Sequence, residues 1–166
     1  MSSPVIRPQR KHPRLKTYDY SSAGAYFITI CTKERKCLLS TVGRGLAPAG
    51  IELSSYGKIA ESQISWLQNK FPGVQIDGYV IMPNHIHMLL VLREGAAGAS
   101  PRPTVPAIIC AYKSMVTRLC KAYHSIDGLF QTSFYEHVIR NRAEYEETIK
   151  YISENPYRWQ EDELHP

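Results

Sequence analysis

The sequence predicts a single α+β domain in which helices pack on an antiparallel sheet of about four to five strands. A chain of 166 residues with 43% apolar residues is large enough to bury one core. Segments with strand-like and helix-like patterns follow one another in the order β-α-β-β-α-β-α, which is typical of this class. No internal repeat or linker divides the chain. The predicted domain is therefore residues 1–166, with a basic arm at 1–19 and a short tail at 157–166.

The first half of the chain contains one helix between strands. Its predicted elements are a strand at 25–33, a Gly- and Pro-containing loop at 40–50, a helix ending at "FPG" 71–73, and strands at 74–82 and 85–92 separated by a Pro-Asn turn. The strands are rich in β-branched and aromatic residues. Ser54 or Ser55 can cap the helix, whose apolar residues recur at helical spacing.

The second half contains two helices on either side of a strand. After a connecting loop at 93–103, Thr104 followed by a nearby proline predicts a long helix. The segment 130–140 predicts a strand. Asn141 with Glu144 three residues later is a capping-box pattern and predicts the start of the last helix. Pro156 disfavours helical backbone at the preceding residue, so this helix is predicted to end at Asn155.

Composition narrows the function classes. The formal net charge of +5 and the sequence pI near 9.0 are compatible with an anionic partner. No apolar run approaches the roughly 20 residues of a membrane span, so no membrane partner is expected. The basic N-terminus is not followed by an apolar stretch and does not resemble a secretory signal. The four cysteines fit no zinc-binding spacing, which favours a reduced, cytoplasmic protein.

Two histidines interrupt the apolar strand "YVIMPNHIHMLLVL". Successive side chains alternate across a strand, so His85 and His87 share one face, while Ile86 and Met88 point to the other. Their Cβ atoms are expected roughly 6 to 7 Å apart, which lets both imidazoles approach one cation. A metal site would still need two more ligands. For a bare His-x-His pattern, two half-buried polar residues without a ligand is the commoner outcome.

The segment "MPNHIHMLL" resembles the His-hydrophobic-His motif of the single-tyrosine HUH transposases, and more narrowly of the REP-associated tyrosine transposases of bacteria. The resemblance extends from "YFITICT" through "YKSMVTR" to "FQTSFYEHVIRNRAEYEETIKYISENP". It implies a ferredoxin-like, or RRM-like, HUH fold. It also implies a metal-dependent endonuclease and strand transferase that acts in DNA transposition. Such an enzyme would cleave single-stranded DNA at hairpins through a covalent 5′-phosphotyrosine intermediate.

The resemblance assigns roles to four positions. His85 and His87 would bind a divalent metal ion, Mg²⁺ or Mn²⁺. Tyr151 in "KYISENP" would be the nucleophile, and Asn155 would complete the metal site. Independently of the family, Tyr151 and Asn155 are four residues apart and share a helix face. Tyr151 could equally be a core-edge tyrosine whose hydroxyl reaches water.

The implied partner is single-stranded DNA with palindromic hairpins, bound by basic side chains that contact phosphates. The candidates are Arg7, Arg10, Lys11, Arg14 and Lys16 in the arm, Lys113 and Arg118 on the second helix, and Arg140 and Arg142 beside the last helix. For any single one, a solvated surface charge is the commoner outcome. A DNA-binding role would place the protein in the cytoplasm of a bacterium, associated with the nucleoid.

Three functions remain open from the sequence. The first is the nicking and joining enzyme, acting as a monomer or as a homodimer that exchanges its tyrosine helix. The second is a catalytically silent, domesticated protein that binds DNA hairpins. The third is a metal-dependent phosphoesterase in which metal-bound water attacks instead of Tyr151. The acidic tail residues Glu161, Asp162 and Glu163 would contact DNA poorly, and either cover the active site or form a frayed end.

Overall fold

The computed structural model describes residues 19–20, 22–43, 50–94 and 103–166. The elements are β1 Gly24–Cys31, β2 Ser40–Val42, β3 Ile51–Leu53, α1 Ser55–Lys70, β4 Val74–Ile81, β5 His85–Leu92, α2 Val105–His124, β6 Tyr135–Ile139 and α3 Arg142–Glu154. Short 3₁₀ helices at Lys33–Arg35 and Asn155–Glu161 follow β1 and α3. Among the described residues, no helix is both long enough and apolar enough to cross a bilayer.

The main sheet has four antiparallel strands in the order β4-β5-β1-β6, which confirms the predicted fold class. The two central strands, β5 and β1, pair along their whole length. In this register His87 lies opposite Thr29, and His85 lies opposite Cys31. The histidine strand is therefore central and is held by neighbours on both sides, which gives the two imidazoles a rigid support.

Each face of the sheet is covered by different helices. Ile28, Ile86 and Met88 on one face belong to a core cluster that also includes buried residues of α1 and α2. Phe27 and Leu89 on the other face pack in a second cluster with Ile152 of α3. Because side chains alternate along β5, His85 and His87 lie on the face that carries α3. The last helix and the histidine pair are thus on the same side of the molecule.

The predicted helix starts are confirmed by side-chain caps. The side chains of Ser54, Thr104 and Asn141 accept hydrogen bonds from backbone N–H groups at the starts of α1, α2 and α3. At α3 the Glu144 carboxylate also accepts from the Arg140 N–H at 2.7 Å, one residue before the cap. These contacts satisfy N–H groups that have no partner within the helix and fix where α3 begins.

A glycine on β4 allows α3 to lie close to the sheet. The strand has an irregularity between Ile76 and Gly78, and α3 crosses it there. A Cβ atom at Gly78 would lie 3.0 Å from the Ile149 Cδ1 atom, which is tighter than ordinary packing. The absence of a side chain at this position therefore helps to set the depth of α3, and with it the position of Tyr151.

Two segments differ from the sequence prediction. The first three residues of the loop predicted at 40–50 form the strand β2, which pairs with β3 through Ser40–Leu53 and Val42–Ile51. Strands of three residues are too short to give a clear alternation pattern. The strand predicted at 130–140 is also shorter in the structure, since Phe130 forms only an isolated bridge with Thr32 before β6 begins.

Candidate metal and nucleophile site

Three side chains that could ligate a metal ion meet at the carboxyl-terminal end of β1 and the start of β5. His85 and His87 are 0% and 1% exposed, and their ring centroids are 4.5 Å apart. Asp162, which follows the second 3₁₀ helix, places its Oδ2 atom 3.7 Å from the His85 Nε2 atom. The donor atoms of the three residues all lie within 4.8 Å of one another. This spacing lets them bind a single cation.

The burial and the missing hydrogen bonds of the donor atoms show that these residues fit a metal ion. Four buried side-chain atoms have no hydrogen-bond partner among the described residues: Nε2 of His85, Nε2 of His87, Oδ2 of Asp162 and Oδ1 of Asn155. Buried polar atoms without partners are costly, and a protein normally pairs them. A divalent cation would satisfy the three donors that lie within 4.8 Å of one another, and the Asn155 side chain lies beside them, since it influences the pKa of His85 and of Asp162. Two imidazoles, a carboxylate and an amide oxygen form a mixed donor set that is compatible with several divalent metals.

The other ring nitrogen of each histidine is held by a neighbouring side chain. His87 Nδ1 lies 2.8 Å from Thr29 Oγ1, and His85 Nδ1 lies 2.8 Å from Asn84 Oδ1. Histidines that ligate metals almost always have their second nitrogen hydrogen-bonded in this way, which fixes the ring orientation. Both Nε2 atoms are left without a hydrogen-bond partner among the described residues, and that of His85 faces Asp162.

Tyr151 lies beside the histidine pair. Its ring centroid is 5.4 Å from that of His87 and 5.8 Å from that of Phe27. One helical turn later, Asn155 is 3% exposed and lies close enough to influence the pKa of Tyr151 and of Asp162. The structure thus brings Tyr151, Asn155 and the two histidines together, as the sequence prediction requires. Their roles in metal binding and catalysis stay predictions.

Burial controls the protonation of this cluster. It lowers the pKa of His85 to about 3, and with the neighbouring His85 it holds the pKa of His87 well below its usual value. Both imidazoles are therefore neutral at pH 7, with lone pairs available. Burial and then the Asp162 carboxylate raise the pKa of Tyr151 to about 12, against a lowering effect of Asn155. Without a metal ion the phenol is protonated at neutral pH.

The metal-free protein should become less stable as the pH falls from 6.5 towards 3. In this range an unfolded histidine binds a proton while folded His85 does not, so the unfolded state binds more protons. Between pH 6.5 and about pH 5, each buried histidine should lower the free energy of unfolding by about 2 kcal/mol. The slope is about 1.4 kcal/mol for each pH unit below the pKa of an unfolded histidine. Asp162 acts in the opposite direction, because burial raises the pKa of its carboxyl.

Urea denaturation at pH 6.5 and at about pH 5 measures this loss. His87→Gln should show a smaller decrease than the wild type. His124→Gln, an exposed substitution at the end of α2, is the control. If the free energy of unfolding of His87→Gln fell with pH as much as that of the wild type, the His87 imidazole would have to take up a proton in the folded state.

The predicted DNA-binding residues occupy different parts of the molecule. The candidates in the N-terminal arm lie outside the described residues; they are Arg7, Arg10, Lys11, Arg14 and Lys16. Lys113 Nζ donates to the carbonyl oxygens of Gln131 and Thr132 at 2.6 and 2.8 Å, so its charge is used within the fold. Arg118 is exposed on α2, which packs on the face of the sheet opposite the histidines. Arg140 and Arg142 are exposed at the start of α3. A DNA contact by any of them stays a prediction.

Sequence reasoning missed three residues of the site. Thr29 and Asn84 support the histidines, and Asp162 adds a carboxylate. The sequence left open whether the tail covers the site or frays, and in the structure it covers the site. The signal for this was apolar residues in the tail. Leu164 is 6% exposed, and the Trp159 ring centroid is 6.0 Å from that of His85.

The fold and the site define an α+β protein whose central strand presents two histidines to a tyrosine on the last helix. No family model matches the chain. It is 32% identical over 171 residues to an uncharacterized protein of Haemophilus influenzae, covering 94% of this chain and 93% of that protein. It is 24% identical over 139 residues to the REP-associated tyrosine transposase of Escherichia coli, covering 84% of this chain and 70% of that protein.

A solved structure extends the comparison to the fold. It contains a REP-associated tyrosine transposase bound to a REP hairpin, and it matches with a TM-score of 0.62 at 22% identity. The match covers 90% of this chain and 74% of that one, and shows that the fold is shared. The chain is thus similar in sequence to a REP-associated tyrosine transposase and shares the fold of one.

Proposed function

We propose that this protein is a metal-dependent single-stranded DNA endonuclease and strand transferase that acts at DNA hairpins. The observation that carries the proposal is the group of buried donor atoms beside Tyr151 that have no hydrogen-bond partner among the described residues. The E. coli relative is a REP-associated tyrosine transposase, and the structural neighbour is bound to a REP hairpin, which supports hairpin DNA as the substrate class.

His85, His87 and Asn155 would hold the ion, and Asp162 is a further donor that the family resemblance did not imply. Imidazole nitrogens suit Zn²⁺ and its neighbours, whereas carboxylate and amide oxygens suit Mg²⁺ and Mn²⁺. The proposal keeps Mg²⁺ or Mn²⁺, which the family implies. When bound, the ion would polarise the scissile phosphate, offset the charge that develops on it and lower the pKa of the Tyr151 phenol.

Tyr151 would act as the nucleophile. Its phenolic oxygen loses its proton and bonds to the scissile phosphorus, while the bond from phosphorus to the 3′ oxygen breaks. The departing 3′ oxygen takes up a proton, so the products are a 5′-phosphotyrosine linkage and a free 3′ hydroxyl. A 3′ hydroxyl of another strand can attack this linkage and rejoin the DNA without ATP. The rings of Phe27 and His87 hold the tyrosine in place.

The strand would approach along the exposed part of the same sheet face. A groove of about 450 Å³ lies where β1 and β6 meet the start of α3. Its lining includes Ala25, Ile139 and Tyr145 together with the exposed residues Arg140 and Arg142. Tyr151 lies six residues beyond Tyr145, roughly 9 Å along the helix axis. Apolar and aromatic side chains beside guanidinium groups suit an unpaired base and its phosphates.

Replacing both Arg140 and Arg142 with alanine should weaken binding of a labelled DNA hairpin with a single-stranded flank. Each lost phosphate contact should reduce the slope of log affinity against log salt by about 1. The Arg142–Glu146 pair is exposed and contributes little to stability, so the fold should persist. Fluorescence anisotropy at several salt concentrations measures the effect. Lys70→Ala, which removes an exposed charge at the end of α1, is the control. An unchanged salt slope in the double variant would contradict this path.

One chain can supply the whole site. Tyr151 lies beside His87 of the same chain, because α3 packs on its own sheet. We therefore propose that the monomer is the active form. Mixing Tyr151→Phe with His87→Ala distinguishes the two arrangements. A monomer stays inactive in the mixture, whereas subunits that exchange α3 regain activity.

One experiment separates the proposed function from the two other functions. The protein is incubated with 5′- and 3′-labelled hairpin DNA and Mn²⁺, and the products are separated on a denaturing gel. The proposal predicts a protein–DNA adduct together with a released strand that ends in a 3′ hydroxyl. Binding without cleavage would indicate the silent hairpin-binding protein. Cleavage without any adduct would indicate direct hydrolysis.

A further inference from the structure

Asn84 is a fully buried polar residue at the turn before β5. Its side chain is 0% exposed, and its backbone carbonyl oxygen accepts hydrogen bonds from the Thr32 N–H at 2.9 Å and from the Thr32 hydroxyl at 3.0 Å. Its side-chain amide makes two further contacts. Nδ2 donates to the Leu164 carbonyl oxygen at 2.6 Å, and Oδ1 lies 2.8 Å from His85 Nδ1. Asn84 therefore joins the tail to one of the two histidines.

The Leu164 carbonyl fixes the orientation of this amide. A carbonyl oxygen only accepts hydrogen bonds, so the NH₂ end of Asn84 must face Leu164. The amide oxygen then faces His85, and this oxygen also only accepts. His85 Nδ1 must therefore carry the proton, and the lone pair of the neutral ring is left on Nε2. Nε2 is the atom that faces the donor cluster.

His87 has no equivalent constraint from its partner. Thr29 Oγ1 contacts His87 Nδ1, but a hydroxyl can either donate or accept. This contact therefore orients the ring without selecting a tautomer. The link through Asn84 differs, because the Leu164 carbonyl oxygen and the Asn84 amide oxygen can each only accept a hydrogen bond. A flipped Asn84 would place the proton of His85 on Nε2, and this nitrogen could no longer bind a cation.

We infer that Asn84 is a positioning residue that uses the backbone carbonyl of Leu164 to set the metal-binding tautomer of His85. The tail would then contribute to the metal site in two ways, through the Asp162 carboxylate and through a main-chain atom. Residues that support a metal ligand typically account for about 10- to 100-fold in metal affinity. The inference rests on the proposed function only in taking a divalent ion as the cofactor.

The tautomer can be observed in metal-free protein without DNA, so the test does not depend on nuclease activity. Histidine labelled with ¹⁵N is used in long-range ¹H–¹⁵N spectra, which distinguish rings protonated at Nδ1 from rings protonated at Nε2. Wild-type His85 should be the Nδ1–H tautomer alone. Asn84→Ala, and a chain that ends at Glu163 and so lacks the Leu164 carbonyl, should both give a mixture. The shortened chain keeps Asp162.

Binding of Mn²⁺ alone, measured by calorimetry, is the second readout. Asn84→Ala should lower the affinity by about 10- to 100-fold. Thr29→Val should leave the tautomer of His85 unchanged, and Asn69→Ala, an exposed substitution on α1, should change neither readout. A single Nδ1–H tautomer in both Asn84→Ala and the shortened chain would overturn the inference. So would unchanged Mn²⁺ affinity in Asn84→Ala when the tautomers are mixed.

Discussion

Replacing Tyr151 with phenylalanine should abolish the covalent protein–DNA adduct, by at least about a thousandfold, while hairpin DNA still binds. The substitution removes only the phenolic oxygen. The ring contacts with Phe27 and His87 do not involve this oxygen, so α3 should keep its position. Adduct formation is measured on denaturing gels with labelled DNA and Mn²⁺, and binding is measured by anisotropy.

A second tyrosine on the same segment provides a matched control. Tyr157 is 62% exposed and lies in the 3₁₀ helix that follows α3. Tyr157→Phe should form the adduct as the wild type does. An adduct that persists in Tyr151→Phe would show that another residue is the nucleophile. Loss of the adduct in Tyr157→Phe alone would point to the tail.

Replacing His87 with alanine should remove specific binding of Mn²⁺, with a loss larger than the roughly 100-fold upper range for a supporting residue. One of the donor atoms within 4.8 Å of each other disappears. If the cluster binds the metal as proposed, Mn²⁺ should stabilise the wild type by about 2.7 kcal/mol at a concentration of 100 times Kd. The variant should show no such stabilisation. Calorimetry gives the affinity, and urea denaturation with and without Mn²⁺ gives the stabilisation.

His137→Ala is the matched control for this prediction. His137 lies on the same face of the sheet, opposite Phe27 on β1, but it pairs with Glu144 and lies outside the donor cluster. It should therefore keep the Mn²⁺ affinity of the wild type. Equal Mn²⁺ affinities for His87→Ala and the wild type would show that the cluster is not the metal site.

The parts of the site that depend on local periodicity could be predicted from the sequence. Alternation along a strand puts His85 and His87 on one face, and helical spacing puts Tyr151 and Asn155 on another common face. The cap at Asn141 predicts where the last helix starts. The two faces meet only because α3 returns across the sheet. No local sequence pattern encodes this return. The close approach at Gly78 shows one tertiary contact that decides it.

The remaining parts depend on contacts between segments that are distant in sequence. Asp162 reaches His85 because two turns of 3₁₀ helix and the buried Leu164 direct the tail back over the sheet. Asn84 precedes His85 directly, but its role becomes visible only when its partner 80 residues away is known. The sequence indicates no partner for Lys113 beyond solvent or DNA, yet its Nζ atom donates hydrogen bonds to carbonyl oxygens of a neighbouring segment.

The central claim is that Tyr151 becomes covalently linked to DNA at the metal site, and peptide mapping of the adduct tests it most directly. Trypsin cuts after Lys150 and Arg158, so Tyr151 and Tyr157 fall in one peptide, and fragmentation in the mass spectrometer distinguishes them. The nucleotide should be found on Tyr151. A nucleotide on Tyr157 or on any other residue would contradict the claim, as would cleaved DNA without a modified peptide.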